Sequence, residues 1–182
     1  MSVVKGAKPL RRVGGGVFNV NRYYCNVSDA LYLGDIVSLE GTADSEGVPS
    51  VIACTPSLVP VGVIVGFEAN KDVIDTQLYK KAGDAMYVLV ADDSDLIFDI
   101  TVDATFAAAD LGSNYDLVFA EGSTVTGYSG MKLDVGTAGT SASLHMKALR
   151  KSAYPDNDFG TDTIVECKWS QHSLGNVDSV GV

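Results

Sequence analysis

The chain has 182 residues, of which 46% are hydrophobic and 20% are charged, and this composition is typical of a globular protein rather than a disordered one. The 13 basic and 23 acidic residues give a formal net charge of −10. Because an acidic surface repels phosphate backbones and anionic lipid, the charge argues against nucleic acid and membranes as partners.

Residues 1–20 predict a flexible N-terminal arm, and residues 21–182 predict one folded domain. Three consecutive glycines, residues 14–16, interrupt any regular element and allow a hinge, although a strand that begins at a glycine bend is the alternative. A cluster of cations precedes the glycines at Lys5, Lys8, Arg11 and Arg12. Such a cluster can contact an acidic surface, but a solvated terminus shows the same pattern.

Short extended segments, separated by turn-forming residues, occupy most of the remaining chain. Residues 59–69 alternate between two faces, residues 85–91 are apolar on both faces, and residues 163–172 place Cys167 and Trp169 on an inner face. The first and third patterns indicate strands that bury one face, and the second indicates a strand buried on both sides.

The best helix candidate is the segment 103–112, because Asp103 can cap its start, its alanines favour a helix and Gly112 can end it. Strands that recur at intervals of roughly ten residues dominate the rest of the chain. The sequence therefore predicts an all-β fold, a single β-barrel or β-sandwich domain with one short helix and an extended N-terminal arm.

The segment DDSDLIFDITVD, residues 92–103, combines a high density of aspartate with an apolar alternation. Side chains along a strand point alternately to opposite faces, so the apolar and acidic residues separate. The apolar face carries Leu96, Phe98, Ile100 and Val102, and the opposite face carries Asp95, Ile97, Asp99, Thr101 and Asp103. This pattern predicts a half-buried strand whose acidic face is solvated.

Asp92, Asp93 and Asp95 lie at the turn before this strand, where three carboxylates could hold a calcium ion. The glycine and the distal bidentate glutamate of an EF-hand loop are missing. A solvated acidic turn is the favoured interpretation, so no metal site is predicted, and a cation at this turn stays an open alternative.

The residues with catalytic potential do not form a recognisable site. His145 and His172 fall on the outward faces of different strands, and the chain has neither a nucleophile-elbow motif nor paired zinc ligands. The cysteines Cys25, Cys54 and Cys167 match no disulfide framework and indicate a reducing compartment. We therefore expect a protein that is not an enzyme, with no catalytic residues, no cofactor and no metal.

Five segments follow one another along the chain: SDALYLGDIVSLEGTA (28–43), VGVIVGFEA (61–69), YVLVADDSDLIFDITVDA (87–104), GSNYDLVFAEGSTVTGYSGMKLD (112–134) and YPDNDFG (154–160). Taken in this order, they resemble the head decoration (cement) proteins of tailed bacteriophages, and the resemblance covers roughly residues 20–172. Each motif is degenerate, but their order and spacing are more specific. Two departures are Ser94, where the family usually has proline, and Asp99, where it usually has glutamate; both preserve the strand pattern.

The resemblance implies a non-enzymatic structural protein of the virion, assembled in the host cytoplasm and bound to the outer surface of an icosahedral head. Such proteins commonly form homotrimers that bridge major capsid protein subunits and stabilise the head against internal DNA pressure. The N-terminal cations and one aromatic residue are then the expected capsid contacts: Lys5, Lys8, Arg11, Arg12 and Phe18.

Three other classes of protein remain as alternatives. The first is a different virion β-protein, such as a head-fibre base or a tail-associated protein. The second is a carbohydrate-binding β-sandwich, against which the single, inward-facing tryptophan argues. The third is a small trimeric β hydrolase: the glycine-rich segment 120–130 resembles the C-terminal motif of trimeric dUTP pyrophosphatases, whose other motifs do not occur here in order.

Overall fold

The computed structural model describes residues 5–26, 29–69 and 78–175, and it confirms the predicted all-β fold. Eleven strands and a single 3₁₀ turn, Ala108–Asp110, make up the regular structure of these residues. The strands are β1 (Lys8–Arg12), β2 (Val20–Cys25), β3 (Ile36–Ala43), β4 (Pro49–Ala53), β5 (Pro60–Phe67), β6 (Met86–Ala91), β7 (Leu96–Thr101), β8 (Asn114–Val118), β9 (Lys132–Gly139), β10 (Met146–Lys151) and β11 (Ile164–Trp169).

The strands form two sheets that share one apolar core. A six-stranded antiparallel sheet has the order β1-β7-β11-β10-β8-β9, and β2-β4-β3-β5-β6 close into a barrel. All neighbours in the barrel are antiparallel except β2 and β4. Buried side chains from both sheets belong to one cluster, so the two sheets stabilise each other by burying a common surface.

The N-terminal segment differs from its prediction. Lys8–Arg12 forms β1 and pairs with β7, from Lys8 opposite Asp99 to Arg12 opposite Leu96, so a flexible arm is wrong for these residues. The three glycines form an exposed turn between β1 and β2, and the amide of Val13 donates to the Asp95 carbonyl at 2.9 Å. Glycine marks the end of this strand and not a hinge. Residues 1–4 of the predicted arm lie outside the described residues.

Strand β7 confirms the predicted apolar face and corrects the acidic one. Leu96, Phe98 and Ile100 are fully buried, but Asp99 is also only 2% exposed. The chain after β10 covers this face, where the hydroxyl groups of Ser152 and Tyr154 donate hydrogen bonds to the Asp99 carboxylate. Burial raises the pKa of Asp99, and the two donors partly oppose that rise.

The predicted helix over 103–112 is shorter than expected. Phe106 is buried and pairs through its backbone with Gly160, so this part of the segment is extended. The carboxylate of Asp103 accepts a hydrogen bond from the Val135 amide at 2.9 Å instead of capping a helix. Tertiary hydrogen bonds outweigh the intrinsic helix preference of alanine in this short segment, and only one 3₁₀ turn forms.

The centre of the core contains the aromatic pair Phe98 and Trp169, whose ring centroids are 4.5 Å apart. Both side chains are fully buried. We expect Phe98→Ala to lower the free energy of unfolding by about 3–5 kcal/mol, because it leaves a cavity against Trp169. Urea denaturation measures this loss. The half-exposed Phe119 provides the matched control, and an equal loss for Phe119→Ala would contradict the packing described here.

Asp99 provides a second test, since a solvated strand face would tolerate its neutralisation. We expect Asp99→Asn to cost about 1–3 kcal/mol of unfolding free energy, because the amide nitrogen cannot accept a hydrogen bond from Ser152 or Tyr154. The exposed Asp158 is the control, and Asp158→Asn should leave stability unchanged. Equal urea midpoints for Asp99→Asn and the unmodified chain would restore the solvated interpretation.

Candidate functional site

A groove with a volume of about 760 Å³ lies between the N-terminal segment and the barrel strand β5. Lys5, Lys8 and Pro9 line it from the N-terminal segment, and Ile64 and Val65 line it from β5. We call this feature the N-terminal groove. It lies where the first strand of the six-stranded sheet approaches the barrel, so both sheets contribute to it.

Four further lining residues come from distant parts of the chain. Phe18 comes from the connection between β1 and β2, Leu33 precedes β3, Tyr128 follows β8, and Tyr154 follows β10. Phe18, Leu33 and Tyr154 are half-buried, and Tyr128 is exposed. The surface they form is therefore largely apolar, with two phenolic hydroxyl groups.

Two glycines allow a close approach of the backbone beside the groove. Gly6 and Gly34 both have positive φ angles, 69° and 87°, and the Ala7 amide donates to the Gly34 carbonyl at 2.8 Å. A Cβ atom on Gly6 would lie 2.4 Å from the Cβ of Ser129 and 2.6 Å from the Gly34 oxygen. Three chain segments meet here at a distance that only glycine allows.

Lys8 connects the groove to the buried carboxylate of β7. Its Nζ donates to the Tyr154 hydroxyl at 3.2 Å, and that hydroxyl donates to Asp99 Oδ2 at 3.0 Å. The ammonium group also lies 5.7 Å from the centre of the Tyr154 ring. These contacts position Tyr154 at the groove and hold an exposed cation at its edge.

The charge of the groove is opposite to the charge of the chain. Lys5 and Lys8 are exposed, and no described residue that lines the groove is acidic. The chain as a whole has a net charge of −10. The groove is therefore an apolar surface with positive charge on an acidic protein, which favours a ligand that is both anionic and apolar.

The structure divides the five predicted capsid contacts into two groups. Lys5, Lys8 and Phe18 line the N-terminal groove. Arg11 Nη2 lies 2.5 Å from Glu166 Oε2, and Arg12 Nε lies 3.0 Å from Asp95 Oδ1. These ion pairs neutralise the arginines within the chain. That any of the five residues contacts a capsid stays a prediction.

Sequence reasoning missed Leu33, Tyr128 and Tyr154 as groove residues. Leu33 and Tyr154 are 121 positions apart, and no local pattern relates the three residues. The pairing of Leu33 with Tyr128, which includes a 2.9 Å bond from the Ser129 amide to the Leu33 carbonyl, brings two of them together. A signal for this group would require knowledge of the strand pairing.

The acidic turn is less solvated than predicted. Asp92 and Asp93 are buried, and their carboxylates accept hydrogen bonds from the Asn21 amide group, the Tyr23 hydroxyl at 2.7 Å and the Asn19 side chain at 3.0 Å. Burial and the bond to Asp92 raise the pKa of Tyr23. The turn thus joins β2 to the end of β6. Within the ranges that the structure describes, no group of three or more histidine, cysteine or acidic residues could hold a metal ion.

Both histidines are buried, which corrects their predicted place at the surface. His145 is 1% exposed, with Nε2 at 2.7 Å from the Leu58 carbonyl and Nδ1 at 2.9 Å from Asp116 Oδ1. His172 is 5% exposed, and burial lowers its pKa. β10 begins only at Met146, so His145 lies before the regular strand and the outward strand face predicted for it does not apply.

Cys54, His145 and Asp116 are the described residues that most resemble a nucleophile, base and orienting acid. The Cys54 sulfur lies 3.5 Å from the same Leu58 carbonyl that His145 contacts. However, Cys54 is fully buried, and burial raises the pKa of its thiol to about 12. A thiol that stays protonated and out of contact with solvent is a poor nucleophile. The arrangement is better suited to joining the barrel to the six-stranded sheet.

Comparisons with known proteins identify no relative, since no family model, no curated protein and no solved structure matches the chain. Where the chain is described, none of its helices has the length and apolar character needed to span a membrane.

The close approach of the three segments can be tested at Gly6. We expect Gly6→Ala to destabilise the chain strongly, because the new methyl group adds a steric clash to the cost of a positive φ, which is about 1–2 kcal/mol by itself. Gly47 is a matched control, since its φ is 84° and a Cβ there would have no neighbour within 4 Å. Thermal unfolding should show a larger loss for Gly6→Ala than for Gly47→Ala. Equal losses would contradict the close approach.

Proposed function

We propose that this chain is a non-enzymatic structural protein of a tailed-phage virion, which binds the outer surface of the icosahedral head. In this role it bridges subunits of the major capsid protein, as a homotrimer, and stabilises the head against internal DNA pressure. The ordered resemblance of five segments to head decoration proteins supports the proposal, and the all-β fold is compatible with it.

The observation that carries the proposal is the N-terminal groove. A cement protein requires an adhesive face, and this groove combines apolar side chains with two exposed lysines. The acidic remainder of the chain repels other anionic surfaces, whereas Lys5 and Lys8 attract them. This charge asymmetry would orient the protein with one face toward an acidic partner.

The buried polar residues support a structural role over a catalytic one. Asp92, Asp93 and Asp99 accept hydrogen bonds from the chain itself and thereby join neighbouring segments. His145 and Cys54 lie inside the molecule, where a substrate would have to displace the core to reach them. Each of these residues has a structural explanation that requires no reaction.

Truncation of the N-terminus is a poor test of this proposal. Removing residues 1–16 would delete β1 and expose the edge of β7, so lost binding could reflect lost folding. Substitution of exposed side chains leaves the sheet intact, so a loss of binding can be distinguished from a loss of folding.

We expect Lys5→Glu and Lys8→Glu each to weaken binding to heads about tenfold, because each exchange turns an attraction into a repulsion. The exposed Lys81 provides a control with the same change in charge, and it does not line the groove. Binding is measured by co-sedimentation with heads that lack the protein, at two salt concentrations. Head binding that is equal for all three variants would contradict the role of the groove.

Cryo-electron microscopy of virions from the source tests the proposal as a whole. Density for this chain as trimers on the outer head surface is the expected result. Density in the tail or at a head fibre would favour the alternative of another virion β-protein. Absence from the particle would overturn both assignments.

A further inference from the structure

The N-terminal groove is bordered by two strand edges that lack a partner strand. β1 is the first strand of its sheet and pairs only with β7, and Lys8 and Pro9 lie in the groove wall. Proline is tolerated at such an edge because it has no amide hydrogen to pair. One border of the groove is therefore an open sheet edge.

The second border is the end of β5. The pairing of β5 with β3 ends at Val63 opposite Ile36, whereas its pairing with β6 continues to Phe67. Ile64 still bonds to the backbone of Gly34 and Asp35, but among the described residues Val65–Phe67 has a strand partner on one side only. Val65 lines the groove at the point where this second edge begins.

An open edge of this kind is a template for an added strand. Exposed edges of β-sheets bind extended peptides through main-chain hydrogen bonds, and pockets for alternate side chains provide specificity. Here the side chains available to such a peptide are Phe18, Leu33 and Val65, which are apolar, and Lys5 and Lys8, which are cationic.

We propose that the N-terminal groove binds an extended segment of a partner protein, which adds a β-strand there and carries acidic and apolar side chains alternately. The alternation follows from the two-residue period of a strand, which places apolar side chains toward the groove and carboxylates toward the lysines. The assignment of this segment to the major capsid protein rests on the proposed function. The mode of binding itself follows from the groove.

The test begins with a random peptide library selected on the full chain. We expect the selected peptides to alternate acidic and apolar residues. Fluorescence anisotropy of a labelled selected peptide should show about tenfold weaker binding to the Lys8→Glu variant than to the Lys81→Glu variant. Selected peptides that lack acidic residues, or that bind both variants equally, would overturn the proposal. Circular dichroism of each variant verifies that it is folded.

A second measurement separates strand addition from side-chain binding. The winning peptide is synthesised with N-methyl groups on alternate residues, in both registers, which removes main-chain donors and leaves the side chains unchanged. Strand addition predicts that at least one register abolishes binding and that hydrogen exchange slows along β1 or along Val65–Phe67, whichever edge pairs with the peptide. Full binding of both methylated peptides would overturn strand addition. Binding of dodecanoate in the groove, together with a selection that yields no peptide, would also overturn it.

The failure of this inference can be distinguished from the failure of the proposed function. Peptide binding at the groove together with normal head binding by Lys5→Glu and Lys8→Glu would support strand addition and overturn the capsid assignment. Weakened head binding by these variants with no selected peptide would support the capsid assignment and overturn strand addition.

Discussion

The antiparallel pairing of β1 with β7 is the interaction on which the other features depend. It attaches the N-terminal segment to the sheet that contains Phe98, and it brings Lys8 opposite Asp99. From there, the Tyr154 hydroxyl connects the buried carboxylate of Asp99 to the exposed ammonium of Lys8. Without this strand the cations would belong to a free terminus and the groove would have one wall.

Several polar residues of the interior act as connections between segments. Asp92 and Asp93 join the end of β6 to the start of β2, and His145 joins the six-stranded sheet to the loop before β5 through Leu58. Buried carboxylates and imidazoles are costly unless they are hydrogen-bonded, so each requires its partner to be in place. This requirement makes the relative position of the two sheets specific, in addition to the stability that apolar burial provides.

Local patterns predicted the elements that depend on neighbours in sequence. The apolar face of β7 and the inward position of Cys167 and Trp169 are confirmed, because alternation with a period of two reports directly which face of a strand is buried. The same patterns were wrong for Asp99 and His145. A polar residue opposite an apolar face is predicted to be solvated, and this prediction is wrong where another segment of the chain covers that face. For Asp99 the covering segment contains Ser152 and Tyr154.

The sequence by itself determined the β class, the buried faces of the central strands, and the cationic character of the N-terminus, because these properties depend on residue type and on spacing within a few positions. The tertiary structure decided that the N-terminal segment is an edge strand, that Arg11 and Arg12 are paired with acids of the same chain, and that Lys5, Lys8 and Phe18 share a groove with Leu33, Tyr128 and Tyr154. The physical reason is that strand pairing joins residues that are far apart in the chain. The backbone hydrogen bonds that hold paired strands together are available to nearly every residue type, so no local sequence pattern specifies which strands pair.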